Sequence, residues 1–85
     1  MILSNGELYI LVGELSRALR DAGEEQMASN LDDALSISTL PGEILGETRA
    51  QLMRLRAART YQQVHFRKKV QEAIDYITAA IGPCD

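Results

Sequence analysis

Between Arg49 and Lys69 the sequence places Arg49, Arg54, Arg56, Arg59, Arg67, Lys68 and Lys69 with no Asp or Glu among them. Clustered cations are the electrostatic footprint of phosphate contact, so the block is a candidate nucleic-acid surface. On an extended helix Arg49, Arg56 and Arg67 lie near one edge, and Arg59 falls in the polar gap beside it. The surroundings oppose that use. Glu43 and Glu47, at the leading end, would meet phosphate first, and the connection from Ile37 to Gly42 is longer than a helix-turn-helix turn. Only Tyr61 and Phe66 in the block offer rings for stacking single strands.

These cations also have carboxylates of their own chain to meet. The residues from Met1 to Thr48 hold Glu7, Glu14, Asp21, Glu24, Glu25, Asp32, Asp33, Glu43 and Glu47 against Arg17 and Arg20. Arginines flanking an apolar seam lay their methylene stems over it and reach carboxylates on the neighbouring helix, such as Asp32 and Asp33. Charged helix faces are usually solvated or internally matched, so this pairing, within one chain or across a dimer, is the favoured reading. Exposed pairs contribute about 0–1 kcal/mol each, which selects orientation and partner more than it creates stability.

The remaining reactive residue types do not assemble a site. His65 is the only histidine, and a catalytic dyad or a zinc site needs partners that one histidine and the near-terminal Cys84 do not supply. Adjacent Asp32 and Asp33 point about 100° apart on a helix, with no further ligand spaced to complete a metal site. Pro41 and Gly42 precede a helix start but lack the further glycines and the lysine of a phosphate-binding loop. The expectation is a protein that is not an enzyme and needs neither metal nor cofactor.

Eighty-five residues with 46% hydrophobic and 25% charged content suit one small folded domain in which a single core is marginal and self-association often adds stability. The net charge of −3 weighs against general attraction to nucleic acid or anionic membrane. No apolar run reaches the roughly 20 residues of a membrane span, and the opening residues lack a signal-peptide pattern, so a cytoplasmic location is expected.

Periodicity predicts an all-α fold, a small bundle of about four helices. Ser4 or Asn5 can cap a first helix over Asn5–Ala22, which Gly23 ends, and Arg17 and Asp21 are spaced to pair along it. A second helix covers Glu24–Ile37. A third starts at Pro41 with Ser38 or Thr39 as its N-cap oxygen. From Glu43 to Ile81 little breaks a helix, yet Arg56, Arg59, Gln62 and Gln63 interrupt the apolar seam. Either a corner at Ala57–Thr60, with the capping box Thr60-Tyr61-Gln62-Gln63, separates Pro41–Ala58 from Thr60–Ile81, or one long helix seeks a second subunit. The corner is slightly favoured.

The expected core is Leu8, Leu11, Leu15, Leu19, Met27, Leu31, Leu35, Ile44, Leu52, Leu55, Phe66, Val70, Ile74, Ile77 and Ile81. Ile10 falls off its stripe and is expected outside as an isolated exposed residue, a reading favoured over a dimer contact made with Ile2 or Leu3. Function is reached by elimination: a non-catalytic protein-interaction module, a regulator, adaptor or inhibitor of another protein, expected to form a homodimer. Its partner-contacting candidates are Arg49, Arg56, Arg59, Gln63 and Arg67 with Asp32 and Asp33. In an inhibitor of a basic site, the acidic surface from Glu24 to Glu47 would be the contact. The alternative is a nucleic-acid-associated protein using the basic segment.

Overall fold

The computed structural model describes residues 2, 4–57 and 64–82, the first three residues of the last helix by backbone alone. Among these residues the chain is all-helical: α1 (Asn5–Asp21), α2 (Glu25–Leu35), α3 (Pro41–Arg56) and α4 (Val64–Ile81).

Local chemistry accounts for most of the boundaries. The Ser4 hydroxyl accepts the Glu7 N–H at 3.2 Å, satisfying one of the donors that a helix start leaves without a partner. At the other end Gly23 takes φ 85°, where a Cβ would be strained. Its N–H reaches the Arg20 carbonyl at 3.0 Å while the Glu24 N–H reaches the Leu19 carbonyl at 2.8 Å. That paired closure is a Schellman motif, and it turns the chain directly into α2. Pro41 opens α3 as expected, but the capping expectation needs correction. Leu40 is the N-cap, and the Ser38 hydroxyl takes the Leu40 N–H at 3.0 Å instead of a helical donor. Gly82, at φ 94°, follows the end of α4.

Cross-helix contacts give the direction of each element. Lys69 of α4 meets Glu14 of α1, and Tyr76 meets Asn5, so those two helices run antiparallel. Arg49 of α3 reaches Thr78 and Gly82, which sets α3 antiparallel to α4. Each helix packs on its successor, and α1 closes the ring on α4 through the loosest of the four seams. The radius of gyration, 11.7 Å, matches the roughly 12 Å expected of a compact chain of this length. The last two helices are thus separate elements lying side by side. Ala57 caps α3 and bonds the Arg54 carbonyl at 3.2 Å. The capping box at Thr60–Gln63 lies outside the described residues.

Inside the ring sits one apolar cluster with Leu8, Val12, Leu15 and Leu19 from α1, Leu31 from α2, Leu52 and Leu55 from α3, and Val70, Ile74 and Ile77 from α4. Leu11, Met27 and Leu35 pack on its margin, partly buried. Ile81 was expected in the core and instead stays 37% exposed, as the last residue of α4 with no further helical turn to cover it. The Phe66 side chain lies outside the described residues. Among the described residues, three polar side chains not expected inside are buried: Ser16, Thr48 and Arg49.

Candidate interaction surface

Among the described residues, those singled out for partner contact are divided among α2, α3 and α4. Arg49 is turned inward, with 9% of its area exposed. Its Nη1 donates to the Gly82 carbonyl at 2.6 Å and to Thr78 Oγ1 at 3.3 Å. Helix α4 has no basic residue in its own last turn, so Arg49 brings from α3 the positive charge that its carbonyl end favours. Arg56 is half-buried at the end of α3, and Arg67 is exposed on α4. Arg59 and Gln63 lie outside the described residues. Lys69 joins the basic block to the acidic first half through Glu14, 3.4 Å away.

Asp32 does meet an arginine, but from α1. Arg20 Nη2 donates to Asp32 Oδ2 at 2.6 Å and its Nη1 donates to Ser16 Oγ at 3.1 Å. Ser16 Oγ in turn lies 2.8 Å from Asp32 Oδ1 and 3.3 Å from the Ala28 carbonyl. A hydroxyl has a single proton, and the shorter, charge-assisted bond to the carboxylate is the one it makes best. Burial pushes the Asp32 carboxyl upward, but the hydrogen bonds from Arg20 and Ser16, with the charge of Arg20, outweigh it and hold the pKa below the ordinary aspartate value. Arg17 and Asp21, spaced for pairing, are both exposed and unbonded to each other, since Arg20 and not Arg17 faces the hairpin. Asp33 is exposed on the outer side of α2.

Two shallow depressions lie elsewhere, on the outer side of the α1–α4 seam. With volumes of ≈ 280 and ≈ 450 Å³, they share Ile2 and Glu72 as lining residues and so form one groove. From α1 it takes Glu7, Ile10, Leu11 and Glu14, and from α4 Glu72, Asp75, Tyr76 and Ala79. Ile10 is 67% exposed, as its position off the core stripe predicts, and it shares its depression with Ile2. Tyr76 is fixed by a 2.6 Å hydrogen bond from its hydroxyl to Asn5 Oδ1. Sequence reading singled out Ile10 and missed the groove. The usable signal was a second i, i+3, i+4, i+7 series on each helix, offset from the core series.

A further cleft of ≈ 300 Å³ opens between α2 and α3, over Leu31 and Leu55, with Glu24 and Arg54 on its rim. Among the described residues no three metal-ligating side chains gather, and no helix is long and apolar enough to cross a membrane. No family model, curated protein or solved structure matches the chain.

Proposed function

We propose that the chain is a non-catalytic protein-interaction module that works by holding another protein against its α1–α4 face. One observation carries this reading: Ile10 stands 67% exposed in a shallow groove beside Ile2 and Leu11, while the core cluster beneath is formed without it. A large apolar side chain kept outside a finished core, beside other apolar residues, marks a contact surface better than a scattered exposed residue does. The basic segment supports nucleic-acid contact less well, with Arg49 engaged on the end of α4 and Lys69 on Glu14.

The test is photo-crosslinking in cells of the source organism, with benzoylphenylalanine in place of Ile10 and, as a control, in place of exposed Ala50 on α3. The expected result is a discrete protein adduct at position 10 and none at position 50. An adduct of two copies of the 9.4 kDa chain would make the partner a second molecule of itself. Absence of any adduct at position 10, or adducts removed by nuclease, would overturn the reading.

A further inference from the structure

We infer that the α1–α4 groove takes a basic amphipathic helix of another protein, an inference that rests on the interaction-module reading. The groove is built from two series with the same spacing, Glu7, Ile10, Leu11, Glu14 on α1 and Glu72, Asp75, Tyr76, Ala79 on α4. Residues at i, i+3, i+4 and i+7 share one face of a helix, so each helix turns a continuous strip to the groove. Such a strip is about 10 Å long, seven steps at 1.5 Å, which is the length of two turns of a helix laid alongside. Helix-in-groove recognition reads apolar anchors at the same spacing, and here Ile10, Leu11 and Tyr76 are the surfaces for them to meet.

Charge selects the kind of helix. Carboxylates border both strips, Glu7 and Glu14 on one and Glu72 and Asp75 on the other. Lys69 is held to Glu14 at 3.4 Å, so the rim already accepts an ammonium group. Lysines or arginines flanking the apolar stripe of an incoming helix would meet Glu72 and Asp75, which steers encounter and fixes register. The same charges disfavour a second copy of this chain. An isologous contact would place this acidic rim against its own image, and like charges juxtaposed across an interface are costly. The Tyr76–Asn5 bond holds one wall in place before the partner arrives, which lowers the cost of ordering it.

The probe is a fluorescent synthetic peptide of leucine and lysine with leucines at i, i+3, i+4 and i+7, measured by anisotropy at low and high salt and by backbone NMR shifts on the whole chain. Expected are shifts confined to the α1 and α4 strips, salt-weakened binding, and a loss of roughly tenfold or more in the double variant Glu72→Lys, Asp75→Lys. The charge-matched double variant Asp33→Lys, Glu43→Lys, both exposed and away from the groove, should bind within about twofold of the parent. Equal weakening by both doubles would overturn the inference, because the peptide would then sense net charge alone. So would concentration-dependent shifts of the same strips without peptide, since the occupant would be a second copy. If position 10 crosslinks a protein in cells while the peptide shows no groove-specific binding, the basic-helix inference falls and the interaction module stands. If position 10 crosslinks nothing, the module reading falls whatever the peptide does.

Discussion

Replacing Thr48 with valine should stabilise this protein. Thr48 is fully buried on α3, on the same face as Leu45, Leu52 and Leu55, and its Oγ1 has no hydrogen-bond partner. Burying a hydroxyl unpaired costs about 1–3 kcal/mol, because the bonds it makes to water in the unfolded chain are not replaced. Valine has the same branched shape, leaves no cavity, carries the same χ1 restriction and has nearly the same helix propensity. What changes is the hydroxyl alone, and the expected gain is about 1–2 kcal/mol. A domain of this size shifts its melting midpoint by about 4–8 °C per kcal/mol, so the midpoint should rise by roughly 4–16 °C.

The assay is thermal unfolding followed by circular dichroism, with urea titration to check that the m-value is unchanged. Thr48→Ser is the control in the opposite direction. It keeps the hydroxyl and deletes a buried methyl, with an expected loss of about 1 kcal/mol. A valine variant less stable than the parent by about 1 kcal/mol or more would refute the reasoning. The hydroxyl would then be bonded in solution, for example to the carbonyl of Ile44 one turn back or to ordered water.

Leu15→Ala and Ile77→Ala, at positions 1% and 0% exposed, should each cost about 2–5 kcal/mol in urea denaturation, whereas Ile81→Ala, at 37% exposure, should cost no more than about 1 kcal/mol. Arg49→Met keeps the stem and removes the guanidinium bonds to Gly82 and Thr78, with an expected loss of about 1–2 kcal/mol once the relieved desolvation is counted. Amide exchange should quicken selectively in the last turn of α4, and unchanged protection there would show that Arg49 does not hold that end. For Asp32 the folded pKa is depressed, so its contribution is present above the unfolded value of about 3.9 and is lost as pH falls through the folded value. The side chain is 43% exposed and solvent screens the pair, so the advantage of the parent over Asp32→Asn should be no more than about 1 kcal/mol at neutral pH and should vanish in acid. A gap that is constant down the acid range would separate Asp32 from that linkage.

The helix-ending Gly23, the helix-opening Pro41, and the apolar stripes of α1 and α4 were legible because they are local. A Schellman closure at Gly23 or a stripe over Leu8, Val12, Leu15 and Leu19 depends on residues within a few turns of one another. What sequence reading missed depends on residues brought together from afar. Ser16 is an unremarkable helical serine until α2 sets Asp32 beside it, 2.8 Å away. Thr48 looks like a polar interruption of the α3 pattern and is instead sealed within the ring of helices. Ile81 continues the α4 periodicity perfectly well, and its exposure shows only once it is placed at the end of α4 in the folded chain. The same holds for the groove, since neither of its strips is more than a secondary face until α1 and α4 lie antiparallel.

The fate of the basic block follows from the same geometry and bears on function. Seven cations without an intervening acid look like one outward surface when drawn along a single helix. Ending α3 at Arg56 and restarting at Val64 folds the block back on itself, so its two ends serve different neighbours. Arg49 caps the carbonyl end of α4, a position that lacks a cation of its own, and Lys69 crosses to Glu14 on α1. Arg20, outside the block, takes the Asp32 partner once assigned to it. Internal matching uses cations at the helix ends and the hairpin, while Glu72 and Asp75 line the groove beside Tyr76. Those two carboxylates favour the cationic, apolar-striped helix proposed for the groove, a partner of the opposite charge to the one the basic segment first suggests.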